Sequence, residues 1–252
     1  MIEIFILSLV QGVTEFLPIS SSSHLIIISD YLAFNNQGLS IDVSLHVGSF
    51  MAVILYFYKD IFDFLNNKIL FFKIFISSIP IMIIGYFLVK TNTVENFRNL
   101  EVIAWTTIIF GILLYISDKF KLQNNIKKNF TFKSALFIGL FQILSVVPGV
   151  SRSGIAITAA RLLNFKRVDA AKISFLISIP ILGAVSIFGL KNLIFSKSAH
   201  LTEINLIAIL GSFVFSLITI KYFLSYINKF NLNIFVYYRI CLGLILIILA
   251  YL

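Results

Sequence analysis

TEFLPISSSSH, residues 14–24, is the stretch on which the fold turns. In a chain of 252 residues, 59% hydrophobic and 12% charged, it gathers an acid, a proline, four serines and a histidine. A helix needs about 20 apolar residues to cross the roughly 30 Å hydrocarbon core of a bilayer. The apolar run 1–34 would be long enough, but this stretch breaks it in the middle and leaves two short halves. Residues 134–163 are broken in the same way, by Pro148 and then Ser151, Arg152 and Ser153. Backbone that leaves the helix at membrane depth is tolerated only where it is buried in protein or lines a wet cavity. Both regions therefore read as re-entrant helix-loop-helix hairpins.

The rest of the chain supports a membrane setting. Its mean hydropathy is +1.00, far from that of a soluble domain. Six uninterrupted apolar runs remain, near 43–58, 73–89, 102–117, 172–190, 204–222 and 234–252. The expected fold is all-α: a single polytopic membrane domain over 1–252, with six transmembrane helices and two re-entrant hairpins. Each hairpin precedes three spans, giving repeat one over 1–117 and repeat two over 132–252. An odd number of spans per unit makes the second repeat inverted, and such repeats place their broken helices at a shared site near the midplane.

The net charge of +9 does not point to nucleic acid, because the lysines are scattered over short loops instead of forming a stripe. They do suggest a topology. With both hairpins re-entrant, fourteen Lys and Arg fall on one side, and only Lys90, Arg98, Lys191 and Lys197 on the other. The positive-inside rule then puts both termini outside the cytoplasm. Met1-Ile-Glu-Ile lacks the positive start of a signal peptide, so residue 1 reads as the start of the mature fold. The single cysteine, Cys241, has no partner for a disulfide and reads as a small core or lipid-facing residue.

Aligned on their prolines, Glu15-Phe-Leu-Pro18-Ile-Ser-Ser21-Ser-Ser23 lies opposite Ser145-Val-Val-Pro148-Gly-Val-Ser151-Arg-Ser153. The two tips together bring Glu15, Ser20, Ser21, Ser22, Ser23 and His24 against Ser151, Arg152 and Ser153. An arginine at membrane depth is costly enough to need a partner or a ligand, and its fork suits phosphate. The free N–H groups at the start of each second arm suit phosphate as well. Hydroxyls beside an imidazole are the parts of an activated nucleophile, and a carboxylate can orient a base or hold a divalent cation. Ser21 and His24 are three apart, so on a helix starting near Ser20 they share a face and can touch. The pattern describes a phosphate pocket with a nucleophile.

QGVTEFLPISSSSH and PGVSRSG, about 130 residues apart in a chain of this hydropathy, resemble the signatures of the undecaprenyl-diphosphate phosphatase family of the bacitracin-resistance type. The resemblance covers essentially the whole chain. It implies removal of the terminal phosphate of undecaprenyl diphosphate at the outer face of the bacterial plasma membrane, which returns the lipid carrier to peptidoglycan synthesis. It further implies Ser21 and His24 as nucleophile and proton-transfer partner, with the order of the two left open. By the same resemblance Ser151 and Arg152 bind phosphate, and the acidic motif falls on Gln11 and Glu15. A divalent cation, Mg²⁺ or Ca²⁺, is implied, with Glu15 as its candidate ligand. Ser20, Ser22, Ser153 and Thr158 complete the expected substrate contacts. Three positions depart from the family pattern: Gln11 lacks a charge, Ser23 stands where glycine is common, and Ala156 replaces a frequent threonine. The expected partners are a polyprenyl diphosphate and membrane lipid, not nucleic acid, with a homodimer left open.

Other polar residues read more plainly. His46 and Asp42 open the first span, and His46 reads as an interfacial or packing residue. His200 reads as solvated in an outer loop, and Asp30 and Asp169 as interfacial caps. Pro80 and Pro180 lie inside spans, where proline kinks helices. Two rival functions compete. The soluble-motif lipid phosphatases would need a histidine where Thr158 stands. A lipid flippase could share the repeat architecture but has no need of the Ser, His and Arg set.

Overall fold

The computed structural model describes residues 1–32, 34, 38–66, 68–91, 93–195 and 203–252, and among these there are helices and turns but no strand. The chain begins with two short helices, α1 (Ile2–Thr14) and α2 (Ser21–Leu32), folded back on each other. Then come α3 (Leu39–Tyr56), α4 (Tyr58–Asn66), α5 (Lys68–Lys90) and α6 (Leu100–Asp118). After the one-turn α7 (Ile126–Asn129), a second short pair follows, α8 (Phe132–Gln142) and α9 (Arg152–Leu162). The chain closes with α10 (Arg167–Phe195), α11 (Glu203–Lys229) and α12 (Asn233–Tyr251). Lys197 and His200 lie outside the described residues, as does the Asp30 side chain.

Five helices, α5, α6, α10, α11 and α12, are long and apolar enough to cross a membrane. The run near 43–58 instead belongs to α3, which starts earlier at Leu39 and, at 18 residues, is shorter than the other five. The shift reflects Ser40, Asp42 and Ser44, polar in sequence but with Ser44 buried. Ser40 and Ser44 are satisfied across the packing by Asn205 Nδ2, at 2.5 and 2.9 Å. The amphipathic α4, between Tyr58 and Asn66, escaped hydropathy because its charges interrupt the apolar run; Lys172 Nζ on α10 reaches its Asp60 Oδ1 at 2.5 Å.

At about 1.5 Å rise per residue, the 13 residues of α1 and 11 of α9 are too short to span. α1 ends ahead of the Pro18–Ser20 tip, and α9 starts only after the Pro148–Ser151 tip, so each tip interrupts the helical hydrogen bonding of its pair. The tips are seated on α10, of which 61% of the most apolar window is buried against 22–33% in the other four long helices, so α10 is the central post. Phe16, inside the first tip, is fully buried with its ring edge-on to Phe175 of α10 at 5.3 Å. The outward faces carry Phe71, Phe72, Phe75, Trp105, Ile109 and Ile187, all exposed. Such a surface fits lipid and would be intolerable in water. Cys241 is on that outward surface too.

Packing pairs recur between the two halves. α1 packs on α11 while α8 packs on α5; α3 packs on α11 while α10 packs on α5; α3 meets α10, and α6 meets α12. Small residues bring the backbones close, as expected for helices in lipid. A Cβ on Gly12 would fall 2.5 Å from Phe215 Cβ, and one on Gly139 2.5 Å from the Ser77 carbonyl oxygen. Hydroxyls bind across the same seams: Ser212 Oγ donates to Leu45 O at 2.7 Å, Ser77 Oγ to Ala135 O at 2.9 Å and Ser78 Oγ to Ile177 O at 3.1 Å.

Candidate active site

The two tips share a backbone device. Ser20, before α2, has φ 76°, and Ser151, before α9, has φ 72°. Non-glycine residues rarely occupy this region, and such strain persists where the surroundings impose it. The structural partner of Ser151 is thus Ser20, one residue away from the proline-based alignment, because Gly149 adds a residue to the second tip. Gly149 itself has φ 91°, and a Cβ there would fall 2.0 Å from Thr106 Oγ1. That hydroxyl instead donates to Pro148 O at 2.6 Å. Ser151 caps α9, its Oγ accepting from Gly154 N at 3.1 Å.

Arg239 of α12 fastens the tips to each other. Fully buried, it donates to Pro18 O in the first tip at 3.1 Å and, in the second, to Val150 O at 3.1 Å and Gly149 O at 2.7 Å. Its Nε donates to Thr107 O at 3.1 Å. Ser153 Oγ adds a bond to Leu17 O at 2.7 Å. These contacts satisfy carbonyls that neither short helix can reach, which is how irregular backbone survives in an apolar interior. Arg239, like Arg152, is an arginine within an apolar run, so the sequence marks both by the same cost of a charge at membrane depth.

Between the tips lies a cleft of about 190 Å³, bordered by Glu15, Ser20, Ser21, Ser22, His46, Ser145, Ser151 and Arg152 and by the apolar Ile81, Ile181, Leu182 and Val185. Glu15, buried at the end of α1, organises it. Its Oε1 pairs with Arg152 Nη2. Its Oε2 accepts from Ser21 Oγ at 2.6 Å and from Gln11 Nε2 at 3.1 Å. Arg152 Nη1 is buried with no protein partner among the described residues, an unspent donor beside the cleft. A buried carboxylate is tolerated only when paired and hydrogen-bonded in this way.

Most expected site residues converge here, but four do not border the cleft: His24, Thr158, Ser153 and Gln11. Ser21 and His24 make no hydrogen bond to each other. Ser21 opens α2 and turns to Glu15. His24 Nδ1 lies 2.6 Å from Ser20 O, and its Nε2 lies 2.6 Å from Tyr238 Oη. Since a carbonyl only accepts, Nδ1 donates, and in the neutral ring Nε2 accepts from the tyrosine. Thr158 is buried on α9 and does not border the cleft, and Ser153 is spent on Leu17 O. Gln11 is fully buried behind Glu15. His46, read as an interfacial or packing residue, instead borders the cleft, its Nδ1 3.1 Å from Gln11 Nε2. Sequence gave it no chemical neighbour because that contact joins α3 to α1 across 35 positions.

The side chains present do not form a cage for a resident divalent cation. No cluster of three or more His, Cys, Asp or Glu occurs among the described residues. Glu15, the carboxylate of the cleft, has both oxygens engaged. A wider groove of about 650 Å³ runs along Tyr115, Lys119, Lys121 and Asn164. No carboxylate or serine lines it, so the smaller cleft is the chemical one.

The model of the family described as bacitracin resistance protein BacA matches residues 4–245. The undecaprenyl-diphosphatase of Pelagibacter ubique is 53% identical over 253 residues, covering 99% of this chain and 98% of its own. That of Saccharophagus degradans is 43% identical over 250 residues, 94% and 93% of the two chains. The one from Jannaschia sp. is 38% identical over 261 residues, 98% of each. A match of this length, with relatives this similar along nearly their whole sequences, means that the chain belongs to the bacitracin resistance protein BacA family.

Proposed function

We propose that the chain is an undecaprenyl-diphosphatase, hydrolysing undecaprenyl diphosphate to undecaprenyl phosphate and inorganic phosphate and so returning the carrier to peptidoglycan synthesis. The observation that carries this reading is the Ser21 Oγ–Glu15 Oε2 hydrogen bond of 2.6 Å beside the half-free guanidinium of Arg152. Phosphoryl transfer needs an aligned nucleophile and neutralised charge, and little else from the protein. Ser21 Oγ attacks the terminal phosphorus while its proton passes to Glu15. The bond from that phosphorus to the bridging oxygen breaks, and undecaprenyl phosphate leaves with the electron pair. Water then attacks the phosphoserine, releases inorganic phosphate and restores Ser21. Arg152 Nη1 and the N–H groups opening α2 and α9 hold the phosphate oxygens. His24 holds the Ser20 carbonyl and Tyr238 and so fixes the turn that presents Ser21. The Mg²⁺ or Ca²⁺ implied by the family resemblance would have to arrive with the diphosphate, since both Glu15 oxygens are engaged, and would supply further charge neutralisation.

The finer architecture belongs to the same proposal: six spans, with α3 among them, and two re-entrant hairpins in an inverted repeat of the inner membrane, both termini outside. The exchanged packing of α1 on α11 and α8 on α5 supports the repeat. Ile81, Leu182 and Val185 border the cleft from beyond the middle of their helices, toward Lys90 and Lys191, which supports an outward opening.

The test is phosphate release from a prenyl diphosphate by the purified chain in detergent, where there is no bilayer to transport across. Wild type releases phosphate, and Ser21→Ala releases none while eluting as a folded protein. Normal turnover by Ser21→Ala would remove the serine from the chemistry; inactivity of wild type, alongside lipid movement in liposomes, would favour the flippase.

A further inference from the structure

We propose that His46 is a substrate-contacting residue whose Nε2–H donates a hydrogen bond to an oxygen of the transferred phosphoryl group. Gln11 fixes this arrangement. Its Nε2 lies 3.1 Å from Glu15 Oε2 and 3.1 Å from His46 Nδ1. An amide nitrogen carries two hydrogens and accepts nothing, so one goes to each neighbour and Nδ1 of His46 is an acceptor. The reverse amide orientation would set a carbonyl oxygen against the Glu15 carboxylate. A neutral imidazole that accepts at Nδ1 carries its proton on Nε2. With Nδ1 turned to Gln11, Nε2 is the ring nitrogen left for the cleft that His46 borders with Ser21 and Arg152.

The cleft needs such a donor. Arg152 already spends part of its charge on Glu15, whereas a diphosphate brings several negative oxygens. A neutral N–H held in place adds stabilisation where charge gathers in the transition state and needs no reorganisation. His24 cannot supply it, since its two ring nitrogens are held by Ser20 and Tyr238. The histidine that meets the phosphate is therefore the one that the serine motif does not contain.

This inference rests on the undecaprenyl-diphosphatase reading, which wild-type turnover tests separately. The experiment compares His46→Gln, whose side-chain amide reaches the place of Nε2, with His46→Asn, whose amide reaches only the place of Nδ1. Both are purified full length in detergent and assayed on undecaprenyl diphosphate, with thermal unfolding followed in parallel. His46→Gln keeps kcat/KM within about 3-fold of wild type, while His46→Asn falls by about 30-fold, the size expected for one hydrogen bond to a charged oxygen. His46→Leu matches Asn. Equal turnover by Gln and Asn, whether both high or both low, assigns His46 to packing and overturns the proposal.

Discussion

Arg152 and Arg239 are both arginines in apolar surroundings, and they do opposite work. Arg239 gives its N–H groups to four backbone carbonyls and meets no carboxylate among the described residues. Arg152 meets Glu15 with one nitrogen, while the other is buried without a protein partner among the described residues. Lysine cannot copy either role, because a point charge lacks the planar fork. Arg152→Lys is expected to leave the fold intact and lower kcat/KM by about 100-fold, as for loss of a preorganised transition-state donor. Arg239→Lys is expected to lower stability by about 3 kcal/mol through the carbonyls it leaves buried and unpaired. Thermal unfolding in detergent separates the two variants, and an Arg239→Lys protein as stable as wild type would show that the tips hold without that clamp. The sequence exposed the acid, serines and arginine of the site because proline and polar residues interrupt an apolar run. It could not expose Tyr238, which holds His24, because nothing near it in the chain is polar enough to mark it except Arg239 itself.

The short pair α8 and α9 is clamped at its cleft end by the Arg239 contacts, and at the end of α9 away from the cleft it is secured by Asp118. Its Oδ1 accepts from Arg167 Nε at 2.7 Å and Arg161 Nε at 3.4 Å, and its Oδ2 from Leu232 N at 3.1 Å. Arg161, at the end of α9, is fully buried and also donates to the Phe120 and Phe165 carbonyls. One acid thus ties α6, α9, α10 and the start of α12. Asp118→Ala would leave the Arg161 charge buried without its counter-ion, a loss of about 3–5 kcal/mol. The midpoint of thermal unfolding should fall accordingly, whereas Lys172→Ala, which removes a half-exposed ion pair with Asp60, should shift it little, by about 0.5 kcal/mol. Equal shifts would deny Asp118 its anchoring role. Helix lengths were largely legible from apolar runs, but α4 was not, since its charged face hides its apolar one from any running average. Asp169, read as an interfacial cap, accepts from Ile126 N at the start of α7 at 3.1 Å, a partnership set by tertiary packing that the sequence does not name.

Taken over the full chain, the proposed fold joins two odd-numbered units whose broken helices meet, and charge placement says which way they face. The sequence made the all-helical membrane class plain, because no soluble core could absorb 27 phenylalanines in 252 residues. It located both tips but set them out of register by one residue, since proline spacing cannot show which serine takes a positive φ. Orientation follows from work done during insertion, in which loops rich in Lys and Arg stay in the cytoplasm. The loop from α6 to α8 carries Lys119, Lys121, Lys127 and Lys128, whereas the described part of the loop from α5 to α6 carries Arg98. Both loops offer exposed sites for labelling, at Asn96 and at Lys128. In a Cys241→Ser background, Asn96→Cys is expected to react with a membrane-impermeant maleimide on intact cells, and Lys128→Cys only after the membrane is opened. Labelling of Lys128→Cys in intact cells, with Asn96→Cys protected, would invert the topology, turn the cleft toward the cytoplasm and take away the outer-face substrate on which the proposed carrier recycling depends.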